Sequence, residues 1–254
     1  MTAWRKLTTK KGRARAGEII VAGVRLVTDV LQSGQTVTAL LACDGPAGKE
    51  AVAALGKAGA VWDGDAFRIG APEFARLTET VHPAGVAAVV RWTPPVFDPE
   101  DDSDRDAKRV LYCDQITDPG NLGTLIRAAV GLGVDKIFTH PEAVELTNPK
   151  TVRAGAGALF RIPIHEGVPA HTAGSWSRDR GLAVLIADAH EGSPLPADHR
   201  LRRWLLVVGG ETRPLDRAWD DVPVRRIRLP LRRGVESLNA GVAGAILIDR
   251  LCRD

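Results

Sequence analysis

Five apolar runs in the second half of the chain, "RVLYCDQI", "VDKIFTH", "LAVLIADA", "WLLVVGG" and "RRIRLPL", constrain the fold most. Each is apolar enough to lie inside a sheet covered on both faces. Helical patterns alternate with them: "NLGTLIRAAVGLG", the region 150–160 and the final "SLNAGVAGAILIDRL". Buried strands alternating with helices predict an α/β fold with a mostly parallel, doubly wound sheet. Ligands of such sheets bind beyond the carboxyl ends of the strands, so the loops after strands carry the candidate chemistry.

The first half alternates on a smaller scale. "GEIIVAGVRLVTDVLQSG" predicts a strand end and an amphipathic helix, "TVTALLAC", "GAVWDG" and "GVAAVVRW" short strands, and "KEAVAALGKAG" and "APEFARLTET" helices. Between the halves, "TPPVFDPEDDSDRDAKR" mixes prolines with Asp98, Glu100, Asp101, Asp102, Asp104 and Asp106 and offers almost nothing apolar, the composition of a linker. The expected organisation is a small α/β domain over 1–92, an acidic linker over 93–108 and a larger α/β domain over 109–254. With 44% of its 254 residues apolar, the chain can build a core in each.

Several function classes drop out. There is no run of eighteen apolar residues, and the basic "MTAWRKLTTKKGRARAG" has no apolar stretch behind it, so neither a membrane span nor a secretory signal is expected. A cytoplasmic location is the expectation. Cys43, Cys113 and Cys252 are scattered, which argues against a disulfide framework and against a metal site. "AGAGAL" lacks the third glycine and the distant acid of a dinucleotide fingerprint, so an oxidoreductase is disfavoured. The net charge is only +3, but Arg5, Lys6, Lys10, Lys11, Arg13 and Arg15 all precede the first acid, Glu18, and "RRIRLPLRR" gathers five arginines. These are phosphate contacts for a nucleic acid or a solvated tail and surface; charge alone allows both readings.

Three post-strand segments are chemically loaded. In "DPGNLGTLIRAA", Pro119 and Gly120 force a turn, Asn121 suits a helix N-cap, and Arg127, six residues on, is either a surface charge or a side chain reaching toward the loop. In "VVGGETRPL", a buried strand ends on Gly209 and Gly210, which suit close approach to a cofactor, and presents Glu211. In "RIRLPLRRGVESLNAGVAGAI", Pro230 ends a strand, Ser237 or Asn239 starts a helix, and Gly241, Ala243, Gly244 and Ala245 allow that helix to pack closely.

In this order and spacing, "DPGNLGTLIRAA", "GGETRPL" and "LPLRRGVESLNAGVAGA" resemble the three signature motifs of the SpoU (TrmH-like) RNA ribose 2′-O-methyltransferases of the SPOUT superfamily. The first half is similar to the ribosomal-protein-like substrate-binding domain that many members carry, in "GEIIVAGVRLVTDVL" and "TVHPAGVAAVV". The resemblance implies a trefoil-knotted, mostly parallel α/β domain that binds S-adenosylmethionine, works as a homodimer without a metal, and methylates RNA. Ribosomal RNA of the 23S type is the expected substrate, for housekeeping or for shielding a ribosomal site from an antibiotic. The alternatives are a tRNA 2′-O-methyltransferase and a catalytically weak RNA-binding relative.

By position, the resemblance implies catalytic roles for Asn121, Arg127, Glu211, Ser237 and Asn239. It implies cofactor contacts from Gly209, Gly210, Glu211, Ile227, Leu229, Leu238 and Asn239. Arg5, Lys10, Lys11, Arg13, Arg15, Arg127 and Arg153 are the expected RNA contacts. The chain departs from the family pattern at Gly210 and Pro214, where Asn and Gly are usual, and at Gly155 and Gly241, where Ser is common.

Overall fold

The computed structural model describes residues 2–60, 62–80, 84–101, 106–196, 201–210 and 213–253. Glu211, a candidate for two roles, lies outside the described residues, as do Val61, Asp102 and Asp104. The chain divides into two compact units, Met1–Thr93 with Thr147–Arg161, and Pro94–Leu146 with Ile162–Asp254.

Along the first unit run α1 (Thr2–Arg5), α2 (Lys10–Ala16), β1 (Glu18–Ala22), α3 (Val24–Gln32), β2 (Thr36–Cys43), α4 (Pro46–Lys57), β3 (Ala66–Ile69), α5 (Ala71–Thr78) and β4 (Val86–Arg91). The sheet order is β1-β4-β2-β3, with β4 antiparallel to both its neighbours and β3 parallel to β2. Central β4 is buried from Val86 to Val90, which explains its unbroken apolar run. The strand expected at "GAVWDG" forms instead at "AFRI", where Leu40–Cys43 of β2 provide a partner. The Trp62 indole N–H there donates to the Asp65 carbonyl at 3.3 Å, closing a local turn that the flanking Gly and Asp favour.

The basic N-terminus is not a tail. Leu7 is buried in the core beside Leu41, Phe74 and Val89. Thr9 caps α2 by accepting the Gly12 N–H at 3.1 Å, and Gly17, with φ 62°, ends it in the left-handed conformation. Arg13, an expected RNA contact, is only 4% exposed and donates to the Leu7 carbonyl at 3.1 Å and to Thr147 Oγ1 at 3.5 Å. Arg5 grips Glu73 with two nitrogens, at 2.6 and 2.7 Å. A buried hydrogen-bonded guanidinium holds structure, whereas Lys11 and Arg15 of the same run are exposed.

The second unit comprises β5 (Arg109–Asp114), α6 (Pro119–Gly131), β6 (Lys136–Thr139), β7 (Ile164–His165), α8 (Ala170–Asp179), β8 (Ala183–Ala187), β9 (Ser193–Pro194), β10 (Trp204–Gly209), β11 (Val224–Arg228) and the last helix (Ala240–Cys252). Among the described residues its sheet has seven strands in the order β7-β6-β5-β10-β8-β11-β9, and the pairings between them are parallel. This is the α/β fold with a parallel sheet that the apolar runs predict, with α8 added to the expected helices. Between β6 and β7 the chain contributes α7 (Pro149–Gly155) to the first unit, so the last helix is α9. The helix expected over 150–160 stops there because Ala156 (φ 45°) and Gly157 (φ 83°) are both left-handed; a short 3-10 turn, Ala158–Phe160, follows. Arg153 of α7, another expected RNA contact, is half-buried and donates to the Thr78 carbonyl at 3.1 Å.

The acidic stretch carries one strong apolar anchor. Phe97 packs edge-on against Phe138, with ring centroids 4.9 Å apart, and against Trp176 at 6.3 Å. The Arg180 guanidinium donates to the carbonyls of Pro99 and Asp101. The start of the expected linker is thus part of the second unit's core, which runs on through Tyr112, Leu205, Val207 and Trp219.

One ion pair joins the ends of two neighbouring strands: Arg226 of β11 donates to Asp188, just past β8, at 2.7 Å. Burial pushes the Asp188 carboxyl up, but the N–H groups of Glu191 and His190 and the Arg226 guanidinium outweigh it and hold it below the ordinary carboxylate range. A carboxyl depressed in the folded state adds stability above its unfolded pKa of about 3.9 and loses it as pH falls through the folded value. Asp188→Asn should cost about 1–2 kcal/mol at pH 7, and the gap from wild type should close toward pH 3 in urea titrations. Leu7→Ala should cost about 2–5 kcal/mol by the same measurement; a loss below 0.5 kcal/mol would return the N-terminus to the status of a tail.

Candidate functional site

Parallel strands put their carboxyl ends on one edge, and a cavity of about 710 Å³ opens there in the second unit. Ala187, Asp188 and His190 follow β8; Gly209 and Gly210 close β10; Ile227, Arg228 and Leu229 close β11; and Ser237 to Ala240 lead into α9. Its apolar walls, Val208, Ile227, Leu229, Leu238, Ala243 and Leu247, suit a flat heterocycle. Asp188, Asp216 and Arg226 offer charged partners at its rim. That mixture, at a size usual for small-molecule pockets, fits a cofactor that joins a nucleoside to an amino acid. Among the described residues no cluster of three His, Cys, Asp or Glu side chains could hold a metal ion.

Of the sequence candidates, Gly209, Gly210, Ile227, Leu229, Ser237, Leu238 and Asn239 all line this cavity, whereas Asn121 and Arg127 do not. The two glycines serve the chain's own packing: a Cβ at Gly209 would lie 2.7 Å from Leu215 Cδ2, and one at Gly210 would lie 2.9 Å from the Gln115 carbonyl oxygen.

Asn121 reaches the site through a different bond from the one its sequence position suggests. The N-cap of α6 is Asp118, whose Oδ1 accepts the Asn121 N–H at 2.7 Å, with Pro119 at the first helical position. The Asn121 side chain therefore does not cap α6, and its Oδ1 accepts a hydrogen bond from Asn239 Nδ2 at 2.8 Å. Asn239 in turn caps α9 through Oδ1, which accepts the Val242 N–H at 3.2 Å. The small residues of α9 make this meeting possible. A Cβ at Gly244 would lie 2.3 Å from Leu125 of α6, and one at Gly241 3.2 Å from Thr124. The two N-termini therefore converge at one polar contact, where the partial positive charge of both favours an anion.

Arg127 lies further along α6, exposed and with no hydrogen bond or ion pair to any described residue. Six residues at about 100° each put it roughly 240° around the helix from Asn121.

The site also uses polar residues that motif reading passes over. Asp114, His140 and Asp188 each end or directly follow a buried strand. Asp114 Oδ2 accepts the Asp216 N–H at 2.9 Å and the Trp219 indole N–H at 3.1 Å, and His140 Nε2 lies 2.9 Å from Asp216 Oδ2. Burial raises the Asp114 carboxyl above its ordinary range, against the bonds from Asp216 and Trp219. The usable signal was a charged residue closing an otherwise apolar run, as in "YCDQI" and "LIADA".

Residues 1–88 match the model of the MRM3-like substrate binding domain. The chain is 29% identical over 249 residues to the 23S rRNA (guanosine(2553)-2′-O)-methyltransferase RlmP of Bacillus subtilis (strain 168), covering 98% of this chain and 94% of that protein. It is 29% identical over 261 residues to the 23S rRNA (uridine(2479)-2′-O)-methyltransferase of Streptomyces viridochromogenes, covering 95% and 85%. Its structure superposes on the SpoU methyltransferase AviRb of Streptomyces viridochromogenes, in complex with the cofactor AdoMet, with a TM-score of 0.81 at 25% identity, covering 99% and 96%. Residues 108–249, more than half of the chain and the whole neighbourhood of the cavity, match the SpoU rRNA methylase model, and the chain belongs to that family.

Proposed function

We propose that this chain transfers a methyl group from S-adenosylmethionine to a ribose 2′-hydroxyl of large-subunit ribosomal RNA, with the cavity beyond β8, β10 and β11 as the cofactor site. The observation that carries the reading is the Asn239–Asn121 hydrogen bond, which joins the first and third motifs where α9 borders the cavity. The relatives' names support ribosomal RNA over transfer RNA, as does the N-terminal unit. A cytoplasmic setting belongs to the same reading.

Bound S-adenosylmethionine supplies an electrophilic methyl group on a sulfonium centre. The chain's own residues then have two tasks: to hold the ribose in line with that methyl, and to stabilise charge on the hydroxyl oxygen as its proton leaves. Asn239 and Asn121, at two helix N-termini, suit the second task. Arginine stays protonated in proteins, so Arg127 acts as a cation for the ribose oxygen and its neighbouring phosphate and not as a base.

Arg127 and Asn121 point to different sides of α6, which favours a homodimer in which Arg127 of one copy serves the cavity of the other. The exposed apolar Val235 and Val242, beside the start of α9, fit a surface that a second copy covers. On the first unit, exposed Lys11 and Arg15 of α2, one helical turn apart, are the best-placed RNA contacts of the basic run.

Arg127→Ala should lower kcat at least about a hundredfold while S-adenosylmethionine affinity by calorimetry stays within about twofold of wild type. Turnover near wild type would sink the role. Mixing Arg127→Ala with the cavity-filling Ala243→Phe should restore activity through mixed dimers, and no recovery would count against the shared site. Lys11→Ala with Arg15→Ala should make the slope of log affinity for RNA against log salt shallower by about 1–2; an unchanged slope would remove both from the interface.

A further inference from the structure

The cavity wall from Arg213 to Trp219 is tied to the carboxyl ends of β5 and β6 by a set of polar side chains that no motif of the family reading uses. Gln115 Nε2 donates to the Pro214 carbonyl at 3.1 Å. Asp114 takes the Asp216 N–H and the Trp219 indole N–H on one oxygen. His140 lies against Asp216, and Arg213 pairs with Glu142 at 2.5 Å. Arg213, Pro214, Leu215, Asp216 and Trp219 all line the cavity, while Asp114, Gln115, His140 and Glu142 do not.

The bonds dictate a direction. His140 Nδ1 accepts the Glu142 N–H at 3.0 Å, so in the neutral ring the proton sits on Nε2 and is donated to Asp216 Oδ2. Asp216 Oδ1 accepts the Ala218 N–H at 2.8 Å, so with its own N–H on Asp114 the residue is held at three points. Asp114 is fully buried, and its Oδ1 has no hydrogen-bond partner among the described residues. Its other oxygen accepts from two residues of the wall, and losing a bond to a buried charged group costs on the order of 1–3 kcal/mol.

Pro214 is the point where one of these ties takes hold. It stands where glycine is usual in the family motif, and its ring removes an N–H and stiffens the turn. Its carbonyl remains available, and Gln115, itself at φ 50°, is positioned to take it.

We propose that Asp114, Gln115 and His140 are positioning residues that set the Arg213–Trp219 wall and thereby the affinity for S-adenosylmethionine. They act through the wall, touching neither cofactor nor RNA, and the inference rests on the cavity being the cofactor site. Removing a tie loosens the wall, so it weakens cofactor binding and leaves the chemical step of the loaded enzyme close to wild type.

The test is calorimetric titration of the full-length protein with S-adenosylmethionine, together with KM and kcat for RNA methylation. His140→Phe keeps the ring volume and deletes both bonds; its Kd and KM for S-adenosylmethionine should rise about tenfold with kcat within about twofold. His140→Gln, which can still donate to Asp216, should recover most of the affinity. Gln115→Met removes the Pro214 tie without disturbing a buried group and should raise Kd about threefold, so it decides the matter if His140→Phe does not fold. Either variant binding as tightly as wild type, or a fall confined to kcat, would overturn the proposal. Ala243→Phe, which fills the cavity from α9, separates this from the parent reading. If it too binds like wild type, the cavity is not the cofactor site; if it alone loses affinity, only the positioning role fails.

Discussion

The parallel register of β10 between β5 and β8 is the constraint on which the site depends. Because the strands described in the second unit run the same way, the residues that end or follow them share one edge of the sheet. Asp114, His140, Asp188, Gly209 and Ile227 are far apart in sequence and become neighbours of one cavity for that reason alone. Reversing any one strand would send its terminal loop to the opposite edge, some 17–20 Å away for a strand of ordinary length. The burial of nearly every side chain along β5 and β10 makes that register costly to lose.

Close packing of α6 on α9 is the second requirement. Gly244 and Gly241 let the helices approach until Asn239 can bond Asn121, and each helix N-terminus keeps its own cap, Asp118 for one and Asn239 for the other. The site thus gains two polar side chains and two helix dipoles at one point, without spending either asparagine solely on capping. Aromatic packing performs a similar service at the other side of the unit. Phe97, Phe138 and Trp176 surround the buried Lys136 ammonium, at 5.6 to 5.8 Å from each ring, and bind the start of the acidic stretch to the core.

Much of this is legible in the amino-acid sequence. The apolar runs marked β5, β6, β8, β10 and β11, and the resemblance of three segments to the family motifs pointed to the cavity residues Gly209, Ile227, Leu238 and Asn239. Local signals erred where tertiary partners decided the outcome. "GAVWDG" and "AFRI" are both short and weakly apolar, and only the free edge of β2 selects the second. The pattern over 150–160 outruns α7, because Ala156 has no intrinsic reason to turn left-handed outside its packed context. Arg13 looked like every other basic residue near it until its side chain folded inward.

By itself, then, the sequence determined the fold class, the five apolar strands β5, β6, β8, β10 and β11 and the turns of the motif loops, since periodicity and turn chemistry are local properties that survive without a partner; β7 and β9, two residues each, are too short to show a pattern. Only the tertiary structure decided which charges are buried, which residue caps α6, and that Asp114, Gln115 and His140 stand behind the cavity wall. Those outcomes follow from contacts between segments about a hundred residues apart, such as Asp114 with Asp216. Hydrogen bonds at that separation leave no periodic trace in the chain.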